Sequence, residues 1–306
     1  MSDPIVITGA TGLVGRRLVA SLRDEGRSVR IVSRRSEVAG FDSSVEVATW
    51  DGVRLEADAL RGTAALVHLA GEPVFGGLLT AARRKKIHES RVASTESLVA
   101  SIAALPEGER PASFVCASAV GYYGSRDDTP LDETAAAGDG FLAEVCMAWE
   151  RAARGAVALG VRTVSLRIGI VLADEGGALP MMATPFRFGL GGRLGDGRQW
   201  FPWIHVDDLV SLLMTACDDS RYSGPVNAVA PNGATNGELT RALGAVLNRP
   251  TLLPVPAFAI RGVLGDLADE LLGSRRVVPA VALEHGFRFD HPDLEDALRD
   301  ALARPA

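Results

Sequence analysis

The feature that most constrains the fold of this chain is a glycine-spaced turn set directly after a short apolar run. Ile5-Val6-Ile7 leads into Thr8-Gly9-Ala10-Thr11-Gly12-Leu13-Val14-Gly15, and apolar residues then recur at Val14, Leu18 and Leu22. A β-branched run, a glycine turn and a 3.6-residue period together predict a strand, a tight loop and a helix. In that context Gly9 permits the turn, Gly12 lets backbone approach a pyrophosphate, and Gly15 lets the helix pack closely on the strand. The first helical N–H groups, around Thr11, Leu13 and Val14, supply donors and a partial positive charge. The turn therefore predicts a bound dinucleotide.

The second strand qualifies which dinucleotide. An NAD site places an acid at the end of that strand, about 20 residues on, to hold the ribose hydroxyls. Here the strand ends Val32-Ser33-Arg34-Arg35, with no carboxylate at the place required. A hydroxyl beside two guanidiniums suits a 2′-phosphate, which Arg meets through forked, charge-assisted bonds. Ser33, Arg34 and Arg35 thus favour NADP(H) over NAD.

Short β-branched runs at 5–8, 29–32, 45–48, 65–69, 113–117 and 163–168 alternate with helical faces such as Val92, Thr95, Leu98 and Ile102. Such alternation predicts an α/β fold: a Rossmann-type, doubly wound parallel sheet. Residues 173–200 carry many glycines and read as a loop or small substrate-side segment. Beyond them come a helix over 207–217, a strand over 226–229, and a helix running to Leu247 from a capping box, Thr235-Asn236-Gly237-Glu238. A boundary near residue 249 divides a cofactor-binding domain, 1–249, from a small C-terminal subdomain, 250–306, with a helix around 260–272.

Apolar residues form 47% of the 306-residue chain and charged residues 23%, enough for a sizeable core and too apolar for a disordered chain. A net charge of −6 argues against nucleic acid or an anionic membrane as partner. Cys116, Cys146 and Cys217 have neither zinc spacing nor an even count for disulfides, so no metal is expected. His205 and Asp207 lack a third ligand at metal spacing and read as the start of a helix. No leader-like or bilayer-length apolar stretch is apparent, and the expectation is cytoplasmic.

Several further stretches carry a family resemblance. They include His68-Leu69-Ala70-Gly71-Glu72-Pro73, Glu89-Ser90-Arg91, Ser118-Ala119-Val120-Gly121-Tyr122-Tyr123-Gly124, Trp149-Glu150, and Trp203-Ile204-His205-Val206-Asp207-Asp208. Across nearly its whole length the chain resembles the atypical short-chain dehydrogenase/reductase family described as nucleoside-diphosphate-sugar epimerases, including that family's small C-terminal domain of unknown function. The resemblance extends the cofactor site to Leu69, Ala70, Gly71, Arg91, Ala117 and Ile170. It implies a small polar or nucleotide-linked substrate, met by Arg187, Arg198 and Trp203 around the glycine-rich segment.

Extended members of that family use a Ser/Thr, a Tyr and a Lys, the last two spaced Tyr-x-x-x-Lys. This chain has only two lysines, Lys85 and Lys86, preceded four residues earlier by Ala81 and Ala82, so the pair is absent from it. By the resemblance, Leu142 stands at the Tyr position, Cys146 at the Lys position and Ala119 at the Ser/Thr position. Replacement candidates are Tyr123 as a phenolic relay, Ser118 as a group positioning substrate, and Glu72 as a carboxylate base at a strand end. Two readings follow. One is an NADP-dependent oxidoreductase or epimerase-like protein with a non-standard site; the other is a catalytically silent NADP(H)-binding sensor.

Overall fold

The computed structural model describes residues 3–52, 55–75, 77–173 and 175–303. Its strands are β1 (Ile5–Thr8), β2 (Val29–Ser33), β3 (Glu46–Thr49), β4 (Ala65–His68), β5 (Ser113–Ala119), β6 (Arg162–Ile168), β7 (Ile170–Leu172), β8 (Trp200–Phe201), β9 (Trp203–His205), β10 (Gly224–Ala228) and β11 (Ala234–Thr235). Its α-helices are α1 (Leu13–Asp24), α2 (Ala81–Glu89), α3 (Val92–Ala103), α4 (Phe141–Arg154), α5 (Leu179–Arg187), α6 (Val206–Asp218) and α7 (Asn236–Leu247). The C-terminal part adds α8 (Ala257–Leu264), α9 (Ala268–Leu272), α10 (Ala280–Glu284) and α11 (Leu294–Ala303).

Seven strands form one parallel sheet in the order β3-β2-β1-β4-β5-β6-β10. The period-two alternation of a strand sends neighbouring side chains to opposite faces. Ile5 and Ile7 therefore meet α1 and α6 through Leu18, Leu22, Leu209 and Leu213. Val6, between them, faces Leu98 and Ile102 of α3 and Trp149 of α4. Both faces are covered, which is why these strands read as apolar throughout rather than alternating. This is the doubly wound α/β fold the sequence predicts.

The elements beyond β6 depart from expectation where long-range packing decides. Segment 173–200, expected as a loop or small substrate-side segment, contains α5, with Pro180 in its first turn where a missing N–H costs nothing. The helix expected around 260–272 is two, α8 and α9, parted at Gly265, whose φ of 56° suits glycine. The capping box is present as predicted: Thr235 Oγ1 accepts from the Glu238 amide, and the Glu238 carboxylate accepts from the Thr235 amide at 2.7 Å. The last helix, α11, folds back so that Ala297, Leu298 and Ala301 pack with Leu239 and Leu243 of α7 and with Trp203. No described helix is long and apolar enough to cross a membrane.

Candidate functional site

The β1–α1 turn has the geometry its glycines demand. Gly9 sits at φ 72°, and a Cβ there would come within 2.7 Å of the Leu69–Ala70 backbone after β4. A Cβ on Gly15 would lie 2.3 Å from the Gly9 carbonyl oxygen and 2.6 Å from Ala10 Cα, so only glycine lets α1 approach this closely. Gly12 is different: it is exposed, its φ is −78°, and a Cβ would find only the Gly9 oxygen, at 3.3 Å. It is the N-cap of α1, and no side chain caps the helix. The partial positive charge and N–H donors around Leu13 and Val14 therefore face outward, as a phosphate requires. Thr8 braces the floor: its hydroxyl pairs with His68 Nδ1 at 2.6 Å, tying the ends of β1 and β4 together.

Ser33 closes β2, and its hydroxyl accepts from the Arg35 amide at 3.1 Å. Arg34 and Arg35 are both exposed, and neither forms an ion pair with a described residue. Gly177, at φ 68°, brings the segment after β7 against Leu13, while Ile170 on β7 packs with the cluster of Leu172, Trp203 and Leu239. The residues thus fit a dinucleotide: uncapped donors for the pyrophosphate and free guanidiniums beyond the second strand.

Beside Gly71 lies the Arg91 guanidinium, 3.4 Å from where a Cβ would stand. It donates to the carbonyls of Glu72 (2.9 Å) and Ile87 (3.2 Å) and covers the Trp149 ring at 5.2 Å. Cys146, Leu142, Gly121 and Ser118 converge nearby, with Leu142 Cβ and Cys146 Sγ 3.4 and 3.9 Å from a Cβ on Gly121. Burial pushes the Cys146 thiol up to about 11, so it is an inert core sulfur.

The three candidates expected in place of a Tyr-x-x-x-Lys pair each have partners within the protein. Ser118 is buried, and its hydroxyl donates to Glu150 Oε1 at 2.7 Å. Glu150 and Arg167, each 4% exposed, form a two-pronged ion pair at 2.9 Å on both prongs. Arg167 Nη1 donates to the Tyr123 hydroxyl at 2.9 Å, and that hydroxyl donates to Asn227 Oδ1 at 2.7 Å. Burial outweighs the nearby guanidinium and pushes the fully buried Tyr123 phenol up to about 12, away from the range of a proton relay. Arg167 also covers the Tyr122 ring at 3.5 Å. Tyr123 and Ser118 are thus members of an internal network, because each polar group inside a core must find a partner. Glu72 points to α2, where Lys86 lies 2.9 Å and Arg83 3.7 Å from its carboxylate.

Of the expected substrate-side residues, Trp203 is 1% exposed and belongs to the core under α7. Arg187 is exposed at the end of α5, apart from Arg198, which lines a different cleft. His205 caps α6 by accepting from the Asp207 amide through Nδ1 at 3.3 Å. The fold also brings His291 and Asp300 to it, four ligand-type atoms within 4.8 Å, a grouping no sequence spacing reveals. His205 Nε2 lies 3.2 Å from an Asp300 carboxylate oxygen, at ion-pair distance.

Fold and turn together define a dinucleotide-binding protein of the short-chain dehydrogenase/reductase type. Residues 5–228 match the NAD dependent epimerase/dehydratase family and 255–301 match a domain of unknown function, DUF1731. The chain belongs to this epimerase/dehydratase family. It is 40% identical over 300 residues to the chloroplastic SDR39U1 homolog of Arabidopsis thaliana, covering 96% of this chain and 85% of that one. Human epimerase family protein SDR39U1 is 35% identical over 303 residues, covering 98% of this chain and 99% of the relative. A crystal structure of human SDR39U1 (isoform 2) with NADPH superposes with a TM-score of 0.88 at 32% identity, covering 99% and 100% of the two chains. A nucleoside-diphosphate sugar epimerase from Corynebacterium glutamicum superposes at 0.81 with 35% identity, covering 99% of this chain and 58% of that one.

Proposed function

We propose that this protein binds NADP(H) in the β1–α1 cleft and serves an oxidoreductase or epimerase-like reaction on a small polar or nucleotide-linked substrate, without a Tyr–Lys relay. One observation carries the cofactor choice: free, exposed Arg34 and Arg35 follow the second strand where an NAD site would hold an acid. The similarity to a protein crystallised with NADPH supports it. Gly9, Thr11, Gly12, Leu13, Val14 and Gly15 would hold the pyrophosphate. Ser33, Arg34 and Arg35 would hold the 2′-phosphate. Leu69, Ala70, Gly71, Ala117 and Ile170 would flank the nicotinamide end, and Arg91 would stand near the phosphates. The nicotinamide supplies hydride exchange; the chain's part is to position it at the ends of β4 and β5.

The engagement of Ser118, Tyr123 and Glu72 favours a second reading, a silent NADP(H) sensor. Calorimetry and turnover separate the possibilities. NADPH should bind more tightly than NADH, and Arg34→Asp should weaken NADPH by more than NADH; equal losses would remove the assignment. Steady oxidation of NADPH with a panel of small carbonyl compounds supports the enzyme. Tight binding with no turnover, together with cofactor-dependent capture of a partner, supports the sensor.

A further inference from the structure

Where β9 runs into α6, the C-terminal part of the chain closes a group of side chains that belongs neither to the glycine turn nor to the end of β2. His205 and Asp207 stand at the start of α6, His291 lies between α10 and α11, and Asp300 lies on α11. One ligand-type atom from each falls within 4.8 Å of the other three. His205 is 1% exposed, and its Nε2 lies 3.2 Å from Asp300 Oδ2. Its ring stacks on that of His291, with centroids 3.8 Å apart and planes tilted by 38°. The side chains of Asp207 and Asp300 are 36% and 35% exposed, so the group is open to solvent on one side.

Packing holds each member in place. Asp208 is buried and accepts from the amides of Asp290 at 2.7 Å and His291 at 3.1 Å, which pins the backbone carrying the second imidazole. Ala297, Leu298 and Ala301 pin α11 against α7 and Trp203, and so fix Asp300. The two carboxylates face one guanidinium, Arg17, which lies 3.6 Å from Asp207. A cation beside Asp300 restores the balance of charge. Imidazole and carboxylate together suit zinc and its first-row neighbours, whereas magnesium and calcium take oxygen alone. Ligands about 2.0–2.2 Å from a tetrahedral zinc stand roughly 3.3–3.6 Å from one another. The His205–Asp300 pair is already that close, and the remaining groups need to draw in by roughly 1 Å.

We propose that His205 Nε2, His291 and Asp300 bind a divalent ion of the zinc class, with Asp207 orienting His205 and water completing the shell. With Nε2 on the metal, the ring proton sits on Nδ1, where Asp207 Oδ2 is 3.9 Å away; this carboxylate–histidine contact replaces the 3.3 Å contact from the Asp207 amide. The ion clamps the epimerase/dehydratase part, through residue 205, to the DUF1731 part, through residues 291 and 300. The site stands independently of the cofactor reading.

Zinc chloride is the probe. The full chain, first dialysed against a chelator, should bind about one equivalent in calorimetry, and far more tightly than it binds magnesium. Saturating zinc should raise the thermal midpoint by about 4 °C. His291→Gln and Asp300→Asn should each weaken zinc roughly a hundredfold, and Asp207→Asn roughly tenfold. H291Q/D300N should abolish both the binding and the rise in midpoint. These side chains are partly exposed, so the variants should fold without metal; circular dichroism checks it. Amide exchange across α11 should slow on adding zinc in the wild type and not in H291Q/D300N, a response that zinc on other surface histidines would not produce. No saturable binding, equal affinity for magnesium, unchanged exchange in α11, or wild-type affinity in H291Q/D300N would each overturn the proposal.

Discussion

The β1–α1 turn and the β5–α4 corner sit at the same edge of one sheet, yet they treat polar groups in opposite ways. At the turn the polar groups are backbone donors, left outward because glycine keeps side chains away and no residue caps α1. At the corner they are side chains, Ser118, Glu150, Arg167, Tyr123 and Asn227, all buried and all bonded to one another. Backbone donors at a helix start cost little to leave facing water, which satisfies them until a phosphate arrives. Buried side chains have no such recourse, so the fold consumes them. The comparison teaches that hydroxyls and phenols near a strand end are weak evidence for chemistry, whereas a glycine turn is strong evidence for a phosphate.

The largest effect should come from breaking the corner. Glu150→Ala leaves the Arg167 guanidinium buried without its carboxylate, and a cost of about 3–5 kcal/mol is expected. Urea unfolding reads it. A loss under about 1 kcal/mol would mean that water reaches Arg167 and that the corner is more open than its burial implies. Replacing Ser118 alone should cost less, since the Glu150–Arg167 prongs survive.

The turn should split stability from binding. In Gly15→Val the new side chain meets backbone on two sides, and destabilisation of about 1–3 kcal/mol or more is expected. Gly12→Val meets only one oxygen at 3.3 Å, so the thermal midpoint should hardly move while NADPH binding fails. Unchanged NADPH affinity in folded Gly12→Val would misplace the phosphate site.

The smallest effect concerns the brace between the regions. His68 is wholly buried between Thr8 and Ser94, and burial, with the Arg91 charge adding, lowers its pKa from 6.5 to about 3. A depressed histidine pKa favours folding above the unfolded value, and that contribution drains as pH falls from 6.5 toward 3. Between pH 7.5 and 5.5 the wild type should lose about 1 kcal/mol that His68→Asn does not lose. Glu133 and Asp208, whose carboxyls burial pushes up, act in the opposite sense, but nearer the carboxylate range. Parallel slopes for wild type and variant over this interval would show that His68 takes up a proton without opening the brace.

Much of this was legible along the chain, for local reasons. Strand alternation, the glycine turn, the Thr235–Glu238 capping box and the absence of Tyr-x-x-x-Lys all depend on residues within a few positions of one another. Backbone sterics and helix-end hydrogen bonding act over that range, so sequence by itself determined the parallel sheet, the cofactor turn and the lack of a Tyr-x-x-x-Lys pair. Which way a side chain points was another matter. Tyr123 turns inward because Asn227 on β10 and Arg167 on β6 wait for its hydroxyl, 104 and 44 residues away. Glu72 turns to α2 because its cations lie there, and α11 returns to α7 because both have apolar faces to bury. The group of His205, Asp207, His291 and Asp300 likewise exists only once α6, α11 and the segment before α11 meet. Hydrogen bonds and burial are settled between partners distant in sequence, so only the tertiary structure decided which polar groups face a ligand and which serve the core.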